Sequence, residues 1–319
     1  MNFNYNSFFK KILFIILNYL FKKITFYKNM KKKIFKKPNW IKIKLPLNNI
    51  NKVQKIKSIL KKNKLYSVCE EASCPNLMEC FGKGQVTFMI LGNICTRNCP
   101  YCDVIHGRPI IKDSKKEASN LANIIFQMKL KYVVITSVNR DDLHDGGAKQ
   151  FVNCIKKIRK KNFNIKIEIL VPDFKNCIEK ALNILSFSLP DVFNHNIETV
   201  KNLYYKIRPS GKYHKSLILL NKFKNLFPNI LTKSGLIVGL GETNTELFTT
   251  IEDLKFNGVD ILTIGQYLQP SKNHLPVYKY YSLKEFTQIK EEAIKIGFKK
   301  VICGPFIRSS YNAQKNYSN

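Results

Sequence analysis

From residue 82 onward, apolar runs of strand length alternate with longer stretches in which apolar residues recur every three or four positions. Six runs, at 87–91, 132–137, 165–171, 191–196, 234–238 and 260–265, are predicted as strands. Residues 115–130, 148–160 and 245–256 lie between them with the amphipathic period of helices, and 283–297 adds a further one. Such alternation favours a parallel sheet wrapped by helices. Periodicity alone does not choose between a closed barrel and an open doubly wound sheet. The polar clusters help, because those at 93–102, 139–147, 172–173, 239–243 and 266–271 each directly follow a predicted strand. In a parallel barrel such loops converge on one mouth, so a barrel or partial barrel is expected.

The chain has 319 residues and a formal net charge of +32, a balance that usually points to nucleic acid or an anionic membrane surface. Here the charge is nearly all Lys, spread over predicted solvent faces, with no concentration into a groove interleaved with aromatics. A solvated Lys surface and no nucleic-acid partner are therefore expected. Arg is rare, at 97, 108, 140, 159, 208 and 308 only, and five of the six lie in or beside motifs, where a planar bidentate donor does what Lys cannot.

At the N-terminus, Lys10 and Lys11 precede an apolar run at 12–21 that resembles a short signal segment but is too short to cross a bilayer. Residues 1–36 are expected to be a basic and apolar leader, appended or over-extended upstream of Met30. A cytoplasmic location is expected, or an organelle if the leader is a targeting segment.

Nine cysteines are too sparse for a disulfide scaffold, and six fall in two triplets. Cys95, Cys99 and Cys102 follow the first predicted strand with gaps of three and two residues. Such a loop can wrap three corners of an iron–sulfur cubane and leave the fourth iron open. A zinc site would want four closed ligands, and no fourth Cys or His stands at a matching distance in sequence. Cys69, Cys74 and Cys80 form a second incomplete set, which argues for two clusters with different tasks, although one site shared by both triplets stays open on spacing alone. Cys154, Cys177 and Cys303, in predicted helices or a strand, are expected to be inert thiols.

The Cys95–Cys99–Cys102 loop, with Tyr101 before its last cysteine, resembles the signature of the radical S-adenosylmethionine (SAM) superfamily. Cys69-Glu-Glu-Ala-Ser-Cys74-Pro-Asn, Arg140-Asp-Asp-Leu, Phe193-Asn-His-Asn, Gly239-Leu-Gly-Glu-Thr, Gly265-Gln-Tyr-Leu-Gln-Pro and Arg308-Ser-Ser-Tyr together resemble the lipoyl synthase family, in its bacterial form. The likeness runs from about residue 37 to about 311. It implies an α/β fold, a partial (β/α)6 TIM-type barrel at 82–304, with an N-terminal cluster-binding extension at 37–81 and a short C-terminal tail at 305–319.

The resemblance also implies two 4Fe-4S clusters and S-adenosyl-L-methionine as cofactors. Cys95, Cys99 and Cys102 would hold the cluster whose open iron binds S-adenosylmethionine. Cys69, Cys74 and Cys80 would hold the auxiliary cluster, closed by Ser310, a hard ligand whose bond should exchange easily as sulfide is consumed. Asn139, Gly239 and Glu242 are the expected further cofactor contacts, with Asp141, Asp142 and Gly146-Gly147 as weaker ones. His195 reads equally well as a hydrogen-bonded core histidine.

The implied reaction replaces hydrogens at carbons 6 and 8 of a protein-bound octanoyl group with sulfur from the auxiliary cluster. Implied partners are octanoylated carrier domains of 2-oxoacid dehydrogenases and the glycine cleavage H protein, an electron donor such as flavodoxin or ferredoxin, and a cluster-rebuilding carrier. A transfer-RNA methylthiotransferase and a zinc-stabilised nucleic-acid-binding module are the alternatives, separable by iron, sulfide and zinc content.

Overall fold

Eight strands lie in one sheet in sequence order: β1 (Tyr66–Ser67), β2 (Thr87–Ile90), β3 (Tyr132–Ser137), β4 (Lys166–Leu170), β5 (Val192–Asn194), β6 (Leu231–Val238), β7 (Ile261–Gln266) and β8 (Lys300–Gly304). They come from a computed structural model that describes residues 37–42, 47–109 and 114–318. The leader expected at 1–36 lies outside the described residues. β1 runs antiparallel to β2, and every later neighbour is parallel. A doubly wound sheet reverses its strand order at a switch point, whereas an unreversed order is that of a barrel wall. With β1 and β8 as its edges the wall is a partial barrel. The six predicted strands are β2 to β7, and β8 adds a seventh parallel one.

The helices are α1 (Ile50–Lys62), α2 (Val68–Glu71), α3 (Leu77–Gly82), α4 (Ser114–Gln127), α5 (Ala148–Lys161), α6 (Ile178–Leu185), α7 (Tyr204–Ile207), α8 (Tyr213–Leu226), α9 (Asn244–Phe256), α10 (Leu283–Lys295) and α11 (Ala313–Ser318). α9 and α10 begin with reciprocal caps, Thr243 with Glu246 and Ser282 with Glu285, which satisfy two otherwise orphaned N–H groups at each start. Among the described residues no helix is long and apolar enough to cross a membrane.

The two faces of the wall differ in chemistry. Val133, Ile135, Ile167, Ile169, Phe193 and Leu262 are at most 1% exposed and join one core cluster with the helices. Phe193 stacks on Phe223 of α8 with ring centroids 3.7 Å apart, which identifies its side as the helix-facing one. The alternate positions face inward, and there polar Thr136, Glu168, Asn194 and Lys233 stand among apolar Met89, Val134, Val192 and Ile261. Lys233 of β6 reaches across β5 to Glu168 of β4, with Nζ 3.0 Å from Oε1 and both side chains 1% exposed. A span over an intervening strand is open only to the concave face. Tyr132 Oη and Asn194 Nδ2 also donate to Glu168, at 2.6 and 2.8 Å.

Removing one partner of such a pair strands a buried charge, so Lys233→Met should lower stability by about 3–5 kcal/mol in urea denaturation. Glu168→Gln added to Lys233→Met should recover most of that loss, because Gln carries no charge, its Oε1 can accept from Asn194 and its amide N–H can donate to Tyr132 Oη. A double variant no more stable than the single one would refute this reading.

Candidate active site

β2 ends at Ile90, and Leu91 and Gly92, with φ of 68° and 87°, turn the chain into the loop of Cys95, Cys99 and Cys102. The loop closes on itself: Cys95 N donates to Ile105 O at 2.8 Å and Gly107 N to Cys95 O at 2.9 Å. The β3 exit buttresses it. Thr96 donates twice to Asn139 O, from N at 3.1 Å and Oγ1 at 3.0 Å, and Asn139 Nδ2 lies 3.6 Å from Cys95 Sγ. Leu275 N, from the segment after β7, donates to Pro100 O at 3.1 Å.

Arg97 fixes the loop from within. Its guanidinium makes four hydrogen bonds of 2.6–2.8 Å to the carboxylates of Asp141 and Asp173, at the exits of β3 and β4. Asp141 is thereby engaged, and Asp142 is held by Arg140. Both carboxylates expected beside the cofactor are bound to arginines.

The second triplet is set by short helices. Ser67 Oγ accepts from Cys69 N at 3.2 Å and caps α2, and Cys80 lies in α3. The C-terminal tail folds back over this extension. Asn76 Nδ2 donates to Phe306 O at 2.6 Å, and Tyr311 Oη donates to both oxygens of Glu79, at 3.0 and 3.1 Å. A Cβ at Gly265 would stand 2.0 Å from Ile307 O, so the tail crosses β7 where there is no side chain.

Cys69, Cys74 and Cys80 line a cavity of ≈ 690 Å³ together with Ser310. A second cavity of ≈ 500 Å³, at the strand exits, is lined by Cys69, Cys74 and Ser310 and also by Cys95, Cys99 and Cys102. The structure therefore brings residues of both triplets and Ser310 to one cleft. Among the described residues, no three His, Cys, Asp or Glu side chains converge closely enough to hold one metal ion. A cubane binds each thiolate through a different iron, so its ligands spread around a volume.

The thiols carry the mark of burial, which pushes Cys99 up to about 11 and Cys80 and Cys102 up to about 12. The Cys74 thiol donates to Cys69, pulling Cys69 down to about 6 against its burial and raising Cys74. Metal loading of such ligands releases protons.

The cleft also holds Asn139, which the sequence led us to expect there, together with Ser137, Asn196 and Glu198, to which it gave no role. Buried Ser137 Oγ, Asn139 Oδ1 and Asn196 Oδ1 have no hydrogen-bond partner. Buried polar atoms are normally paired, so three unpaired oxygens around one cavity fit a polar ligand there. Glu198, Arg208 and Arg308 also line it. Glu198 has a φ of 69°, held by backbone bonds to Gly235 O and from Ile237 N, and burial raises its carboxyl pKa. Its signal in the sequence was position: a polar residue just after a strand. Arg208 was flagged only by the rarity of Arg.

Gly239 and Glu242 stand elsewhere. Glu242 accepts from Gly239 N at 2.5 Å and Leu240 N at 2.9 Å, shaping the turn after β6, and neither residue is among those lining the cleft. Gly235 and Ile237, earlier on the same strand, do line it. His195 is 1% exposed and hydrogen-bonded at both ring nitrogens, and burial lowers its pKa to about 4. Cys154 is buried in α5, Cys177 caps the start of α6, and Cys303 lies in β8.

A family model described as the radical SAM superfamily matches residues 89–254. Two solved structures share the fold at low identity. Streptococcus suis SuiB bound to precursor peptide SuiA has a TM-score of 0.54 and 13% identity, covering 98% of this chain and 64% of that longer one. Methylornithine synthase (PylB) has a TM-score of 0.51 and 14% identity, covering 78% and 74%. The barrel and its cysteine loop are thus those of a radical SAM protein.

Within that class the similarity is much higher to one group. Lipoyl synthase of Buchnera aphidicola subsp. Schizaphis graminum is 60% identical over 284 residues, 88% of each chain. That of Wigglesworthia glossinidia brevipalpis is 58% identical over 279 residues, also 88% of each. That of Pectobacterium carotovorum subsp. carotovorum is 57% identical over 283 residues, 89% of this chain and 88% of the relative. The chain belongs to the lipoyl synthase family.

Proposed function

We propose that the two cysteine triplets divide the work of a lipoyl synthase, one holding the cluster that binds S-adenosylmethionine and the other the cluster that gives up sulfur. The enzyme is a radical SAM sulfurtransferase that inserts two sulfur atoms, at carbons 6 and 8, into a protein-bound octanoyl group. The observation that carries the division is the shared cleft, whose lining includes Cys95, Cys99 and Cys102 together with Cys69, Cys74 and Ser310.

When bound, the cofactor and reduced cluster supply a one-electron abstraction able to remove hydrogen from unactivated methylenes, which no protein acid or base can do. Cys95, Cys99 and Cys102 would hold three irons of one cluster and leave the fourth for the cofactor. Asn196, Glu198, Ser137 and Asn139 would take its hydroxyl and amino groups, since their polar atoms border the cleft and three of the oxygens lack partners. Arg208 would take its carboxylate. Gly239 and Glu242 would act at one remove, by fixing the β6 turn. Cys69, Cys74 and Cys80 would hold the second cluster and Ser310 would complete it, its hard oxygen being the ligand most readily exchanged.

The carriers read from the resemblance, 2-oxoacid dehydrogenase subunits and the glycine cleavage H protein, remain the proposed substrates. A flavodoxin or ferredoxin is the proposed reductant, with a carrier protein rebuilding the auxiliary cluster in a cytoplasmic setting.

Protein purified without oxygen should contain about eight irons with matching sulfide per chain. Incubated with S-adenosylmethionine, a reductant and an octanoylated carrier domain, it should yield deoxyadenosine and a carrier bearing two added sulfurs. About four irons, or deoxyadenosine with no sulfur in the carrier, would overturn the division.

A further inference from the structure

Arg208 stands at the end of a buried hydrogen-bond chain in which each proton has one place to go. Its Nη1 donates to Tyr204 Oη at 2.9 Å and to Asn196 O at 3.0 Å. Tyr204 Oη lies 2.8 Å from Ser216 Oγ, Ser216 Oγ lies 2.8 Å from His195 Nε2, and His195 Nδ1 lies 2.9 Å from Val171 O. Exposure of the four side-chain-bearing residues runs from 0% at Ser216 to 6% at Arg208.

The two ends determine the middle. A guanidinium only donates and a carbonyl oxygen only accepts. Tyr204 Oη, having accepted from Arg208, gives its proton to Ser216 Oγ, Ser216 gives its own to His195 Nε2, and His195 carries its single proton on Nδ1 toward Val171 O. A charged imidazole would place two donors on Ser216 and leave a buried hydroxyl proton unmet. Burial, which lowers the histidine pKa to about 4, favours the same neutral form.

The chain runs from α8 in the helix layer, which carries Ser216, through the β5 exit to the cleft. One Nη1 proton is committed to it and the other to Asn196 O, whereas Nη2 makes only a 3.9 Å contact with Asp173 Oδ2 among the described residues. The guanidinium is thus held by one edge.

We propose that Tyr204, Ser216 and His195 are positioning residues, whose chain locks the Arg208 guanidinium to receive the carboxylate of S-adenosylmethionine. This rests on the assignment of Arg208 made above. A planar guanidinium grips a carboxylate well only when its orientation is set, because the bond pair is directional.

The test is equilibrium binding to protein carrying both clusters, with two probes. S-adenosylhomocysteine keeps the carboxylate, and 5′-methylthioadenosine lacks it. Tyr204→Phe, Ser216→Ala and Arg208→Gln should each weaken the first probe by roughly tenfold while changing the second by less than about twofold. An Arg208→Gln protein with no selective loss overturns the carboxylate assignment itself. Selective loss in Arg208→Gln, with both probes unchanged in Tyr204→Phe and Ser216→Ala, overturns the positioning chain alone. Equal weakening of both probes by the two chain variants also overturns it, since that is what a merely disordered cleft would give.

Discussion

Cys99→Ala is expected to end deoxyadenosine formation and sulfur insertion together, whereas Cys74→Ala is expected to spare the first and end the second. Each variant should lose about four irons per chain and keep the other four. The asymmetry follows from what each triplet would leave open. The Cys95–Cys99–Cys102 set offers a bare iron to the cofactor, so without it nothing starts the abstraction. The other set has a candidate fourth ligand in Ser310, which lines both cavities beside Cys69 and Cys74. Ser310→Ala should therefore resemble Cys74→Ala in products while retaining more iron, and Ser310→Cys should retain the cluster and slow sulfur release, because a thiolate holds iron harder than a hydroxyl oxygen does. Sulfur insertion at full rate by Cys74→Ala, or loss of all eight irons in either single variant, would refute the division of labour.

The cysteine triplets and the parallel strands were legible because each is written locally. Gaps of three and two residues carry a ligand loop, and the apolar runs of β2 to β7 carry the helix-facing layer. β1 was missed because two residues hold no periodicity, and β8, at Lys300–Gly304, because it is only partly buried, with no continuous apolar run, and directly follows the expected helix at 283–297. The buried ion pair of the inner face was also hidden: Glu168 and Lys233 are 65 positions apart, and nothing near either announces the other. The same holds for the cleft. Glu242 stood out because it follows a Gly-rich turn, yet that turn consumes both its oxygens. Glu198 and Arg208 gain meaning only once β5, α7 and α8 have folded around them.

Arg97→Leu is expected to cost about 3–5 kcal/mol, the range seen when one partner of a buried ion pair is removed. Asp173 is 3% exposed, and among the described residues its one other ion-pair partner is Arg208 at 3.9 Å, too long for a hydrogen bond. Arg97→Lys should recover little, because one ammonium cannot reproduce four bonds to two carboxylates in the guanidinium plane. Arg140→Leu makes the contrast: Asp142 is 41% exposed at its side chain, and that pair should be worth about 0–1 kcal/mol. The pH dependence has a definite sign. Burial alone would raise the Asp173 pKa, but the bonds and charge of Arg97 outweigh it and hold the carboxyl below its ordinary value. A carboxyl depressed in the folded state stabilises above its unfolded pKa of about 4, and that contribution is lost as pH falls through the folded value. Without Arg97 the buried carboxyl is easier to protonate, so acid relieves the variant while it harms the parent. Urea denaturation of both proteins should show the gap between them shrinking as pH falls, first above about 4, where the variant's unpaired carboxyl takes up its proton, and further below it, where the parent loses its contribution. A gap constant with pH would mean that the loss comes from packing around the loop of Cys95, Cys99 and Cys102, and that the Arg97 ion pair is not what holds it.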